Sequence, residues 1–140
     1  MIIVDERLEQ LEQAGTPIRV ALFGAGFMAK GLTNQITNSV PGMTVSAIVN
    51  RTIDKGVSAY AGAGVDDAVA AEGDALDAAL ERGSPVVTDD FAAVCASEHV
   101  DVVVDATGAV EYGCQVSEAA IAGGKHVVLM NAEVDGTVGW

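Results

Sequence analysis

The fold is decided by residues 19–31, which read RVALFGAGFMAKG. An apolar run leads directly into Gly-x-Gly-x-x-Ala and then into a helical pattern, which is the form of a dinucleotide-binding strand, turn and helix. Gly24 allows a sharp turn out of the strand, Gly26 leaves room for a diphosphate, and Ala29 lets the helix lie close to the strand. We therefore predict a diphosphate site at the helix N-terminus, where free N–H groups and the helix dipole favour an anion. The predicted cofactor-binding residues of this turn are Gly24, Gly26, Phe27, Met28 and Ala29.

The rest of the chain alternates aliphatic strands with amphipathic helices, within the length of one domain of 140 residues. The strands are predicted at residues 18–23, 43–49, 86–88, 100–106 and 126–130. The helices are predicted at residues 27–40, 53–61, 91–96 and 110–122. This alternation predicts an α/β fold with a Rossmann-type doubly wound parallel sheet in the order 3-2-1-4-5. Ligands are then expected beyond the carboxyl ends of the first and fourth strands.

Two segments lie outside that alternation. Residues 5–14 predict a short amphipathic helix within an N-terminal lead-in that covers residues 1–16. The acidic, alanine-rich residues 65–83 predict a helical insertion on the outside of the domain, before the third strand. The whole of 1–140 is interpreted as one NAD(P)-binding domain.

The charge balance limits the partners. Twenty acidic and seven basic side chains give a net charge of −13, which repels nucleic acids and anionic membrane surfaces within a Debye length of about 8 Å. No apolar run approaches the roughly 20 residues of a membrane span, so a cytoplasmic location is expected. The spacing of cysteines and histidines indicates no metal site.

The second strand ends in Asn50 and Arg51, where the motif places the group that reads the adenine ribose. A carboxylate there would repel a 2′-phosphate, whereas Asn50 can donate a hydrogen bond and Arg51 offers a planar cation. NADP(H) is therefore favoured over NAD(H). Two alternatives stay open: Arg51 is an ordinary solvated residue, or nearby Asp54 serves as the missing acid.

The fourth and fifth strands end in further polar residues. Thr107 and Gly108 are predicted to contact the cofactor at the switch point, while Asp105 is expected to orient neighbouring backbone. Asn131 is expected to reach the nicotinamide end or a substrate. Glu133 is a weak catalytic candidate, because it can equally be an ordinary surface acid. The catalytic acid or base is otherwise unknown.

Three stretches together resemble a known family: residues 19–29 (RVALFGAGFMA), residues 100–108 (VDVVVDATG) and residues 122–133 (AGGKHVVLMNAE). They resemble the N-terminal domain of homoserine dehydrogenase-like oxidoreductases, and more closely the branch with a C-terminal SAF domain that includes DXR-like reductoisomerases. The resemblance covers roughly residues 17–139. Homoserine dehydrogenases carry Ala-Asn-Lys where this chain has Met130-Asn131-Ala132, which puts homoserine as the substrate in question.

The resemblance implies NADP(H)-linked hydride transfer to or from a small polar substrate in a longer enzyme, with the glycine loop, Asn50 and Arg51 binding the cofactor. It also implies a C-terminal catalytic domain beyond these residues, through which the substrate is held and homo-oligomers can form. The chain alone is then expected to bind cofactor without turnover. The alternative is a non-catalytic NAD(P)-binding or sensing module that acts through a partner.

Overall fold

The architecture is a single parallel sheet with helices on both faces, seen in a computed structural model that describes residues 3–139. The strands are β1 (Ile18–Phe23), β2 (Met43–Val49), β3 (Val69–Ala70), β4 (Val86–Thr88), β5 (Val102–Asp105) and β6 (His126–Leu129). The helices are α1 (Ile3–Ala14), α2 (Phe27–Ser39), α3 (Ile53–Gly62), α4 (Gly73–Glu81), α5 (Phe91–Ala96), α6 (Val110–Ala122) and α7 (Ala132–Val138).

The sheet order is β3-β4-β2-β1-β5-β6, and every recorded strand pair is parallel. Parallel strands covered on both faces are built from continuous aliphatic runs, which is how β1 and β5 read. One face of the sheet, including Phe23 and Val49, packs against α4, α5 and α6. The other face, including Leu22 and Ile48, packs against α2 and α3. Two apolar layers therefore fix the strand ends from opposite sides.

The predicted doubly wound fold is confirmed, and the five predicted strands have the predicted neighbours. The prediction of a helical insertion was wrong in one detail, because residues 65–83 contain the edge strand β3 as well as the helix α4. Val69 N–H donates to the Pro85 carbonyl (2.9 Å) and Ala71 N–H to the Val87 carbonyl (3.2 Å). Two residues are too few to show a strand periodicity in sequence. The helix also contributes to the core, since Leu76 is 1% exposed.

The ends of the domain differ from each other. At the amino end, α1 confirms the predicted lead-in helix, and the Glu12 side chain accepts a hydrogen bond from Gly42 N–H (2.7 Å). At the other end, α7 follows β6 directly and was not predicted; its Val134 is buried. Among the helices of residues 3–139, none has both the length and the apolar character that crossing a membrane requires.

Candidate functional site

A cleft of 370 Å³ opens at the carboxyl edge of the sheet, where β1, β2 and β5 end. This is where the strand order reverses, since β1 pairs with β2 on one side and with β5 on the other. The residues that line it are Gly24, Ala25, Gly26, Val49, Asn50, Arg51, Ala106, Thr107, Ala109 and Tyr112. The loops that follow β1, β2 and β5 therefore meet at this cleft, whereas no residue of the loop after β6 lines it.

The glycine turn has the backbone that its sequence requires. Gly24 has φ of +102°, a conformation that side chains strongly disfavour, and a Cβ there would lie 3.2 Å from the Ala106 carbonyl oxygen. Gly24 N–H donates to the Val49 carbonyl (2.9 Å), which joins the β1 and β2 loops. At Gly26, by contrast, a Cβ would meet nothing within 4 Å. The space beside Gly26 is therefore open to the cleft, as close approach of a diphosphate requires.

The helix α2 begins against this space. Gly26 is its N-cap, and the first helical hydrogen bond joins Lys30 N–H to the Gly26 carbonyl (3.0 Å). The N–H groups before Lys30 have no acceptor within the helix, so they are available to an anion. Ala29 lies on the inner face of α2 and is fully buried, while Phe27 (90% exposed) and Met28 (49% exposed) lie on the outer surface of the helix beside the cleft. Ala29, Phe27 and Met28 flank the cleft and do not line it.

The loop after β2 supplies the charge of the cleft. Asn50 N–H donates to the Thr88 carbonyl (2.9 Å), and Asn50 Nδ2 donates to the Thr52 carbonyl (2.8 Å). The loop is therefore held by both the backbone and the side chain of Asn50. Arg51 is exposed and is the one charged side chain among the lining residues. Asp54, the alternative acid, lies in the first turn of α3 and is not among them.

A buried polar network supports the loop after β5. Asp105 is fully buried, and its Oδ1 accepts hydrogen bonds from Thr107 N–H (2.9 Å) and from the Thr107 hydroxyl (2.7 Å). Because the hydroxyl proton is directed to Asp105, the Thr107 oxygen acts only as an acceptor, and it receives long hydrogen bonds from Ala109 N–H (3.4 Å) and Asn131 Nδ2 (3.5 Å). A ligand hydroxyl or amide that donates to Thr107 would compete with these two long contacts. Gly108 continues the turn with φ of +71° and is exposed.

Asn131 belongs to the same network and lies below the cleft. Its side chain is buried (1% exposed), and its Nδ2 donates to Asp105 Oδ2 (3.0 Å) and to the Ala109 carbonyl (3.2 Å). Gly113 makes this packing possible, because a Cβ there would collide with the Asp105 carboxylate and with Val134. The structure thus places Asn131 as a support of Asp105. Glu133 is exposed in α7 and is absent from the cleft lining.

Tyr112 is the aromatic residue of the cleft, and it was not predicted from the sequence. It lies in the first turn of α6, and its ring meets that of Phe91 edge to face, with centroids 5.7 Å apart and planes at 75°. Burial raises the pKa of the Tyr112 hydroxyl, Cys95, Asp105 and Asp89 raise it further, and the Arg51 charge lowers it. Ala25, Val49, Ala106 and Ala109 were also missed, although each adjoins a predicted residue in sequence.

Comparison with known proteins identifies a family for most of this chain. Residues 24–134 match the family described as "Homoserine dehydrogenase, NAD binding domain". No curated protein matches the chain.

Solved structures with the same fold include scyllo-inositol dehydrogenase from Lactobacillus casei with bound NAD(H) and scyllo-inositol, which is 18% identical with a TM-score of 0.59. The alignment covers 81% of this chain and 27% of that one. A 3-ketoreductase from Actinomadura kijaniata in complex with TDP-benzene and NADP is 22% identical with a TM-score of 0.56, over 81% and 29% of the two chains. The chain therefore spans just over a quarter of the length of these proteins.

Proposed function

The chain belongs to the family of homoserine dehydrogenase NAD-binding domains, and we propose that it is the cofactor domain of an NADP-dependent oxidoreductase. In that proposal, the longer cytoplasmic enzyme transfers hydride to or from a small polar substrate, and a DXR-like reductoisomerase is one form of it. A domain of the family binds a nicotinamide dinucleotide. The preference for NADP and the nature of the substrate are our inferences.

The observation that carries the preference is the charge of the cleft. The chain has a net charge of −13, yet the residues lining the cleft include Arg51 and no carboxylate. A dinucleotide with a 2′-phosphate brings more negative charge to the end of β2 than NAD does. A planar guanidinium at this place can bind phosphate oxygens through two hydrogen bonds, and no neighbouring acid lining the cleft opposes it.

The remaining contacts follow the order of groups in a dinucleotide. The open space at Gly26 and the start of α2 would receive the diphosphate. The Thr107 oxygen, whose present donors lie at 3.4 and 3.5 Å, would accept a shorter hydrogen bond from a ribose hydroxyl. The exposed Phe27 would border the nicotinamide side of the glycine turn. When bound, the nicotinamide donates or accepts the hydride, and these residues would hold the cofactor in place.

We expect other residues to hold the substrate. Hydride transfer needs the substrate about 3 to 3.5 Å from the nicotinamide in an aligned pose. Glu133 is exposed on α7, outside the cleft lining, so a catalytic role would require it to act on a substrate held there by further residues. We therefore expect this chain to bind cofactor without turnover.

The proposal is tested by titrating the chain with NADPH and with NADH by calorimetry, and by repeating both titrations with Arg51→Ala. Because a hydrogen bond to a charged group contributes about 1.5–3 kcal/mol, we expect Arg51→Ala to weaken NADPH binding about tenfold or more. NADH affinity should change by less than about twofold, since NADH lacks the 2′-phosphate.

Arg82→Ala is the matched control, because Arg82 is an exposed arginine at the end of α4, outside the cleft lining. It removes the same charge and should leave both affinities unchanged. If Arg51→Ala binds NADPH as tightly as the parent does, and the parent prefers NADH, the NADP assignment is wrong.

A further inference from the structure

Tyr112 contributes an aromatic surface to the cleft. It lines the cleft together with the apolar residues Val49 and Ala109 and with Arg51. Its ring contacts Phe91, which follows β4, the strand next to β2. The Tyr112 ring therefore lies toward the β2 end of the cleft, where Arg51 is located.

The ring is held in place before any ligand arrives. Tyr112 and Phe91 both pack against the core cluster on the α5–α6 face of the sheet. Their edge-to-face arrangement, with centroids 5.7 Å apart, fixes the ring plane. An aromatic surface that is already ordered loses little conformational entropy on binding.

Arg51 faces the same space. Both side chains line one cleft, and the Arg51 charge is near enough to the Tyr112 hydroxyl to offset part of the rise in its pKa that burial causes. An aromatic ring is a surface on which nucleobases stack in proteins.

We propose that Tyr112 forms a base subsite beside Arg51, in which the adenine of the dinucleotide stacks on the Tyr112 ring. This inference rests on the proposed function and adds a residue that selects for the base. Tyr112 recognises the flat base, whereas Arg51 binds the 2′-phosphate, so the two residues act on different groups of the ligand. The diphosphate contacts at α2 are independent of this pair.

The test compares Tyr112→Ala with Tyr112→Phe, which keeps the aromatic face and is the matched control. Three ligands are titrated into the 140-residue chain: ADP, 2′,5′-ADP and inorganic diphosphate, which lacks a base. Since stacking of one base on an aromatic side chain is worth roughly a five- to hundredfold change in affinity, Tyr112→Ala should weaken ADP and 2′,5′-ADP by an equal factor of about ten. Tyr112→Phe should bind both as the parent does, and diphosphate affinity should not change.

A second measurement reads the contact directly. The chain has two tyrosines, so ring-labelled tyrosine gives two sets of NMR signals. Tyr60 is the internal reference, because it is 1% exposed and its hydroxyl donates to the Val45 carbonyl (3.0 Å). ADP should shift the Tyr112 signal through the ring current of the base, diphosphate should not, and Tyr60 should stay in place.

The outcomes separate this inference from the proposed function. If the parent binds ADP and 2′,5′-ADP but Tyr112→Ala binds them equally well, or the Tyr112 signal does not move, the base subsite is wrong and the cofactor domain stands. If none of the three ligands, nor NADPH, binds the parent, both proposals fail together.

Discussion

Charged side chains are arranged differently at the two ends of β1 and β5: they are paired at the amino end and separated at the carboxyl end. At the amino end, Arg19 and Asp101 form a bidentate pair, with Nη2 to Oδ1 at 2.7 Å and Nε to Oδ2 at 2.9 Å. The pair is partly exposed, at 34% and 38%. At the carboxyl end, Asp105 is fully buried among neutral donors, and Arg51 lies exposed in the cleft. Within residues 3–139, neither takes part in an ion pair.

The difference separates a structural edge from a binding edge. The Arg19–Asp101 pair satisfies its own charges, so the amino end offers little to a ligand. At the carboxyl end the carboxylate is buried and the cation remains in the cleft, which leaves the positive charge available to an incoming anion. This contrast implies large effects of substitutions at the carboxyl end and small effects at the amino end.

The largest effect is expected from Asp105→Ala. The substitution removes the acceptor of two partly buried hydrogen bonds from Thr107 and of one buried hydrogen bond from Asn131. Because the buried Asn131 amide loses a partner at a cost of about 1–3 kcal/mol, and the two Thr107 donors lose theirs as well, the free energy of unfolding should fall by about 3 kcal/mol in urea denaturation. A loss below about 1 kcal/mol would show that the network does not support the carboxyl edge.

Gly26→Glu should abolish binding while leaving the fold intact. A Cβ at Gly26 meets nothing within 4 Å, so the substitution is accommodated, but its carboxylate would enter the space assigned to the diphosphate. We expect NADPH affinity to fall by about a hundredfold, equivalent to about 2.7 kcal/mol, in calorimetric titration.

Gly31→Glu is the control for that variant, because Gly31 lies further along the same helix and its Cβ would also meet nothing within 4 Å. It adds the same charge to α2 away from the glycine turn and should bind NADPH nearly as the parent does. A folded Gly26→Glu protein that still binds NADPH normally would remove the diphosphate site from this edge.

The smallest effect is expected at the amino end. The Arg19 guanidinium, through its hydrogen bonds, lowers the pKa of Asp101 below its ordinary value. The pair therefore stabilises the fold above the ordinary aspartate pKa, and this contribution is lost as pH falls through the lowered pKa. Since the pair is partly exposed, Asp101→Asn should cost less than about 1 kcal/mol at neutral pH.

The pH dependence provides the check. Urea unfolding of the parent and of Asp101→Asn is compared at about pH 7 and at about pH 3, on either side of the ordinary aspartate pKa. The difference between the two proteins should shrink at the lower pH. A difference that grows on acidification would contradict the assigned role of the ion pair.

Local chemistry explains what could be predicted from the sequence. The turn at Gly24 and Gly26 depends on neighbours in the chain, so its glycine pattern predicted its shape, and the alternation of strands and helices predicted the order of the sheet. Arg51 could be placed in the cleft because it lies two residues after the end of β2.

Tertiary contacts explain what the sequence could not show. Tyr112 reaches the cleft only because α6 packs beside Phe91, and no spacing in the chain relates those two residues. Asn131 follows a strand as predicted, yet it is buried because Gly113 lets α6 approach it closely. The direction of a side chain at a strand end is thus decided by the helix that packs over it.

The short strand β3 has a consequence for how molecules of this protein meet. It is a sheet edge of only two residues, and exposed Asp66, Asp67 and Glu72 flank it. A brief edge with negative charges beside it is a poor template for another strand, because like charges would face one another before many hydrogen bonds could form. The acidic segment thereby disfavours aggregation through this edge of the sheet.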